Sequence, residues 1–345
     1  MKLLLIAFFL TFEASAAIYG KDDRLEIFQS PSVIRKQAKS IAAMISIDAI
    51  KKTRGGYDYK IVAPLYKDLE FLDSDDWDAL EDVIGMDLFS SSIKMCKGVK
   101  FYAQPMASEC TTFLVASDLL MTAGHCVTEE NFCKKFVFVF DYTAEHNYQS
   151  EVFVDPKNIY TCSKIQYSGY IDPADDILGS PSKNVSKDFA IIKLSKKVKN
   201  RAPLKAISKW SQRDKHPVYT IGTPMGLPLK YSGLGMIVPT SIEKNSFVTN
   251  LDTFEGNSGS PIFSGKNGKI IGILVSGAED FNFIDNTQLK RRSKKNKFVR
   301  SGHYMTKTDG EVCSKPAEYD NYDIKIGEFE EGEVGFRIDR VFDSF

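Results

Sequence analysis

The chain has 345 residues, 43% hydrophobic and 26% charged, which is enough apolar material for a sizeable core in one large domain or two small ones and too much for a disordered chain. Lysine plus arginine and aspartate plus glutamate balance at 45 each, so net charge gives no reason to expect nucleic acid or an anionic membrane as the main partner.

Lys2, the apolar run Leu3 to Phe12 and the small triplet Ala14-Ser15-Ala16 have the layout of a secretory signal peptide, cut near Ala16 or Ala17. Residues 1–16 are assigned to it. Glu13 interrupts the run well short of the roughly 20 apolar residues that span a bilayer, and no later segment is long and apolar enough. The expected location is secreted or periplasmic, with no membrane partner.

Residues 17–95 read as an N-terminal extension or propeptide, partly helical. Val33, Ile34, Ala38, Ile41, Ala42 and Ile45 have helix-like spacing, and Ser74 to Ile84 places Trp77, Leu80, Val83 and Ile84 on one face. From Cys110 the pattern changes to short β-rich runs punctuated by Gly, Pro, Asn and Asp: Phe136 to Phe140, Phe189 to Leu194, Val218 to Ile221 and Lys269 to Val275. Many short strands without long helices between them predict an all-β barrel or sandwich. The basic block Lys290 to Lys297 reads as a solvated loop rather than a polyanion site. Asn184-Val-Ser186 is a glycosylation sequon only in a host that modifies exported proteins.

All six cysteines, Cys96, Cys110, Cys126, Cys133, Cys162 and Cys313, lie beyond the signal, and their even number suits disulfides in an oxidising compartment. No Cys-x-x-Cys pair is present and the adjacent side chains of His125 and Cys126 are poorly placed to share one ion, so no metal site is expected.

Peptide hydrolysis by serine needs a hydroxyl nucleophile, a neutral imidazole to take its proton, a carboxylate to fix the imidazole tautomer and N–H donors for the developing oxyanion. Each has a candidate. Ser258 lies in Asp252-Thr-Phe-Glu-Gly-Asn-Ser-Gly-Ser-Pro261, where glycines on both sides of Asn257-Ser258 allow a tight turn that lets the N–H groups of Gly256 and Ser258 form the oxyanion hole. His125 ends the apolar segment Leu119-Leu-Met-Thr-Ala-Gly-His125, and Asp188 stands directly before Phe189 to Leu194. His146, His216 and His303 sit in polar or turn-like contexts. Taken singly, a Gly/Ser turn, a structural histidine and a strand-capping aspartate explain these residues equally well.

Together, Thr122-Ala-Gly-His-Cys126, Asp188-Phe-Ala-Ile-Ile-Lys-Leu194 and Gly256-Asn-Ser-Gly-Ser-Pro261, in the order His, Asp, Ser, resemble the trypsin-like serine peptidases. Asn257-Ser-Gly-Ser-Pro261 and Tyr19-Gly-Lys-Asp-Asp-Arg24 are similar to the bacterial branch that includes the glutamyl endopeptidases. The resemblance covers roughly residues 96 to 280 well and the last 65 poorly, where Gly335 to Val341 could be a final strand or the start of a helix. It implies two six-stranded antiparallel β-barrels of the trypsin-like type in residues 96–345, a Ser258–His125–Asp188 triad, a Cys110–Cys126 disulfide beside the histidine, and no cofactor. The other four cysteines could pair as Cys133 with Cys162 and Cys96 with Cys313, one of 15 connectivities open to six cysteines.

Two departures bear on activation and specificity. Asn257 stands where the trypsin group has an aspartate that pairs with a freed N-terminus, so activation through that ion pair is not expected. Asp252, six residues before the serine, occupies the base of the family's primary specificity pocket and implies a preference for Lys or Arg. The strand Gly272 to Gly277 lacks the histidine that glutamyl endopeptidases use, which disfavours glutamate, and Ser276 is the expected backbone contact for substrate.

The expected function is therefore a secreted serine endopeptidase acting on protein or peptide substrates through an acyl-enzyme. The alternative is a catalytically inactive binding protein on the same fold. An esterase of the α/β-hydrolase kind needs Gly-x-Ser-x-Gly and the order Ser, acid, His, and Gly256-Asn-Ser-Gly-Ser260 meets neither condition.

Overall fold

The structure, a computed structural model, describes residues 18–53, 58–68, 70–71, 93–146, 149–170, 187–239, 245–277, 281–283, 306–308, 311–316, 318–319 and 332–342. The signal peptide, the Ser74 to Ile84 stretch, the sequon and the Lys290 block lie outside these residues.

Six strands close a first antiparallel barrel: β1 (Ile41–Ser46), β2 (Ser108–Ala116), β3 (Leu119–Thr122), β4 (Phe136–Phe140), β5 (Ile159–Ser168) and β6 (Ala190–Leu194), in the order β4-β5-β6-β3-β2-β1 with β1 returning to β4. A second set, β7 (Pro217–Gly222), β8 (Lys230–Val238), β9 (Ser246–Thr249), β10 (Pro261–Ser264), β11 (Ile270–Ser276) and β12 (Glu333–Arg337), runs β7-β10-β11-β12-β9-β8 and closes through β7–β8. This is the expected trypsin-like double barrel.

The helix expected across Val33 to Ile45 is divided. Only α1 (Ser32–Ala38) is helical, and Ile41–Ser46 is barrel strand β1. Its run Ile-Ala-Ala-Met-Ile has no strand alternation because both faces are covered: Ala42 and Met44 join Leu114, Leu120, Phe138 and Ile192, while Ala43 and Ile45 join Ile61, Val137, Val139 and Val152. For a short apolar run buried on two faces, periodicity does not separate strand from helix.

The domain boundary drawn at residue 95 needs the same correction. Met44 pairs with Cys110 on one side and Phe138 on the other, and Leu25–Glu26 adds to β8 through Glu26↔Lys230. Without β1 the first barrel has two unpaired edges, so residues 25–46 belong to the barrels.

Phe113, Met121 and Phe189 of the first barrel share one core cluster with Ile221, Phe247, Ile262, Leu274 and Phe336 of the second. That shared cluster fixes the two barrels against each other, so segments entering the seam from each are held in register. His125 follows β3, Asp188 precedes β6 and Ser258 lies between β9 and β10.

Disulfides join Cys110 to Cys126 and Cys133 to Cys162. Cys96 is also disulfide-bonded, and the parallel pairing Cys313↔Lys94 runs the Cys313 strand beside the segment that leads into it. The Gly335 to Val341 stretch supplies both β12 and the start of α2 (Asp339–Phe342). Among the described residues no helix is long and apolar enough to cross a membrane.

Candidate active site

Beyond β3 the chain makes one tight turn, His125–Val127, preceded by Gly124. A Cβ on Gly124 would lie 2.6 Å from Tyr170 Cβ and 3.0 Å from Asp188 Oδ1, so only glycine lets those segments close on the histidine. The Cys110–Cys126 disulfide ties the turn to β2.

Asp188 holds His125 at two points. Its Oδ1 accepts from the His125 backbone N–H at 2.9 Å, and its Oδ2 lies 2.8 Å from His125 Nδ1. An ionised carboxylate only accepts, so this contact places the ring proton on Nδ1 and leaves Nε2 with its lone pair. The Tyr170 ring stands edge-on to the imidazole, centroids 6.0 Å apart.

The Ser258 loop is built on two left-handed glycines, Gly256 (φ +83) and Gly259 (φ +84). A Cβ on Gly259 would meet Thr122 Oγ1 at 2.1 Å and Thr111 O at 2.3 Å, and that close approach seats the loop against the end of β3. Thr111 N–H donates to Ser258 O at 2.9 Å, and Cys126 Sγ lies 3.8 Å from the same oxygen, so the serine backbone sits beside the residue that follows His125. The Ser258 side chain is partly exposed, and its hydroxyl makes no hydrogen bond among the described residues.

Around Ser258 the carbonyls are anchored in sequence. Glu255 O accepts from Met225 N–H (2.5 Å) and Asn257 O from Ser260 N–H (2.8 Å). A trans peptide plane points its N–H opposite its carbonyl. These anchors therefore direct the N–H groups of Gly256 and Ser258 the other way, and neither donates to an acceptor among the described residues. Asn257 N–H donates to Phe254 O (2.9 Å) and Gly259 N–H to Leu274 O (2.8 Å). Two unsatisfied donors flanking a nucleophile candidate are what an oxyanion hole requires.

Asp252 is placed differently from the expectation. It is buried, its Oδ1 accepts from Tyr19 N–H (2.8 Å) and its Oδ2 from Asp23 N–H (3.0 Å). Burial, with the Asp23 charge beside it, pushes its carboxyl up to about 7. Burial and the neighbouring Asp22 push Asp23 up to about 6. Arg24, buried over the Phe254 ring (4.2 Å), is clasped by both oxygens of Asp22 and completes the anchor of this segment. Glu333 of β12, also buried, receives Tyr19 OH (3.3 Å) and the Thr253 hydroxyl. Sequence reasoning missed Tyr19, Asp23 and Glu333 as partners of this loop, because contacts between segments 80 to more than 200 residues apart leave no trace in spacing. Ser276, partly exposed at the end of β11, pairs with Val334.

Cys110, His125 and Cys126 bring ligand-type atoms within 4.8 Å of one another, but both sulfurs are consumed in the disulfide and offer no thiolate to an ion.

A trypsin-like peptidase domain matches residues 110–273, the segment that holds His125, Asp188 and Ser258. That segment is a trypsin-like peptidase domain. Among solved structures the peptidase is similar to a Glu endopeptidase, at 20% identity over 49% of this chain and 74% of that one, with a TM-score of 0.34. It is also similar to neuropsin, a serine protease expressed in the limbic system of mouse brain, at 16% identity over 69% of this chain and 88% of that one, with a TM-score of 0.41. No curated protein sequence matches it. As a peptide hydrolase, the peptidase takes protein or peptide substrates.

Proposed function

We propose that the peptidase is an exported endopeptidase whose catalytic triad is Ser258, His125 and Asp188. Ser258 Oγ attacks the scissile carbonyl carbon as its proton passes to His125 Nε2. Asp188 keeps the ring in the tautomer that accepts this proton and stabilises the resulting imidazolium. The negative charge on the former carbonyl oxygen is met by the N–H groups of Gly256 and Ser258. The C–N bond then breaks with the proton delivered from His125 to the departing amine, leaving an acyl-serine that water, activated by the same imidazole, hydrolyses. The single observation that carries this reading is the two-point Asp188 grip on His125 beside a loop whose two free N–H groups flank the serine.

Those free donors also favour catalysis over the inactive binding protein, since a scaffold kept only for binding gains nothing from unsatisfied amides. Hydrolysis of a peptide reporter by the wild type, lost in Ser258→Ala and in His125→Ala with unchanged melting temperature, is the expected result. Retained hydrolysis in either variant would end the assignment.

Export is supported by the Leu3 to Phe12 layout and by disulfides that need an oxidising compartment. Asn257, uncharged and buried, supports activation without an ion pair at that position. Basic specificity loses much of its support: Asp252 is buried, and both its oxygens already accept from the chain's own N-terminal segment.

A further inference from the structure

We propose that Thr111 and Thr223 are positioning residues that hold the oxyanion hole open by clamping the carbonyl of Gly256. This rests on the reading of Ser258 as the nucleophile and of the Gly256 and Ser258 N–H groups as the oxyanion donors.

Gly256 carries one of the two donors, and a glycine is the residue least able to hold its own peptide planes in one orientation. Its carbonyl oxygen lies 3.0 Å from Thr111 Oγ1 and 2.9 Å from Thr223 Oγ1, each placed to donate to it. The two hydroxyls are 2.9 Å apart, and Thr223 N–H donates to Thr111 Oγ1 at 3.0 Å. Ser108 extends the group, its Oγ lying 3.0 Å from Thr223 Oγ1 and 2.9 Å from Cys110 O. All three side chains are buried, where the dielectric is low and hydrogen bonds between hydroxyls and carbonyls are strong.

The clamp acts on the hole through the backbone. The Gly256 carbonyl belongs to the plane between the two donor-bearing planes. Thr111 fixes that plane by its hydroxyl and the plane after Ser258 by its own N–H, which donates to Ser258 O at 2.9 Å. Thr223 bounds the other side, because its carbonyl oxygen would lie 2.6 Å from a Cβ on Gly256. Rotation of the Gly256–Asn257 plane, which would drag the donor-bearing planes on either side of it out of place, has to break the contacts of Gly256 O to both threonines.

Valine has the shape of threonine without the hydroxyl, so Thr111→Val and Thr223→Val remove the clamp at nearly constant volume. Each is expected to lower kcat by about 10- to 100-fold, less than the roughly 100- to 1,000-fold typical of deleting an oxyanion donor itself, with KM within about 3-fold. Affinity for a peptide aldehyde, which forms a tetrahedral adduct whose oxygen needs the hole, should fall in parallel with kcat while the pH–rate profile keeps its midpoints. Thr111→Ser and Thr223→Ser should restore most of the loss. Thr223→Val keeps the backbone N–H bond to Thr111, so it carries the test if Thr111→Val does not fold. Valine variants within about 2-fold of wild-type kcat, or a loss confined to KM with aldehyde affinity unchanged, would overturn the clamp. A wild type that neither turns over peptide nor reacts at Ser258 would instead overturn the catalytic reading beneath it.

Discussion

The backbone N–H of Tyr19 donates to Asp252 Oδ1 at 2.8 Å, across 233 residues of sequence. The loop that carries Ser258 is thus braced at its start by the segment around Tyr19. Removing the carboxylate by Asp252→Ala takes the acceptor from the buried Tyr19 N–H and the part-buried Asp23 N–H, and is expected to cost about 1–3 kcal/mol for the first and less for the second. Reporters ending in Arg, Lys and Phe should lose activity together. A selective loss of more than about 10-fold on Arg and Lys with an unchanged melting temperature would return Asp252 to a substrate-binding role.

Stability should depend on pH through the same contact. Asp23, raised to about 6, and Asp252, raised to about 7, share a buried site flanked by Asp22, Arg24 and Lys100. A carboxyl whose folded value is raised contributes stability that is fully present below its ordinary value and is lost as pH climbs through the folded one. Melting temperature is therefore expected to fall between about pH 4 and 7, from the ordinary carboxyl value up to the folded ones, and to level off above that. Asp23→Asn, which leaves one carboxylate to ionise alone, should flatten that fall, and an equally steep fall in the variant would show that other groups drive it.

Asp188→Asn tests the orientation of the imidazole. An amide NH2 facing Nδ1 stabilises the tautomer with the proton on Nε2, the wrong nitrogen to accept from Ser258. The expected loss in kcat is on the order of 10,000-fold with little change in melting temperature. A loss below about 10-fold would mean that the 2.8 Å contact only supports the fold.

The Cys110–Cys126 bond closes a short loop, 16 positions in separation, that contains β3 and the His125 turn. Replacing both cysteines with serine is expected to cost about 3 kcal/mol by chain entropy, with activity falling as the His125 turn loosens. Unfolding in urea and reporter hydrolysis measured on the same variant check both parts. An unchanged unfolding midpoint would count against the bond as a brace.

Much of the candidate site is legible in the sequence because its backbone requirements are local. Thr122 to Cys126 needs small residues where Gly124 lets Asp188 approach, and Gly256 and Gly259 must reach left-handed backbone within four positions of each other. The β-rich runs were legible for the same reason. Ile41–Ser46 was not, since Ala42 and Ala43 face different buried layers and the run loses its alternation. The partners of Asp252 are not legible in the sequence, because counting back from Ser258 locates its backbone and says nothing of what faces its carboxylate; that is decided by Tyr19 and Asp23, more than 200 positions away. Thr111 and Thr223 meet only through the fold, 112 residues apart, and no motif marks them.

The most direct measurement is the intact mass of the folded protein after exposure to a fluorophosphonate, followed by peptide mapping. One adduct per chain on Ser258, absent in Ser258→Ala and strongly slowed in His125→Ala, is the predicted result. An unmodified wild type, or an adduct on some other serine, would contradict a nucleophile activated at this position.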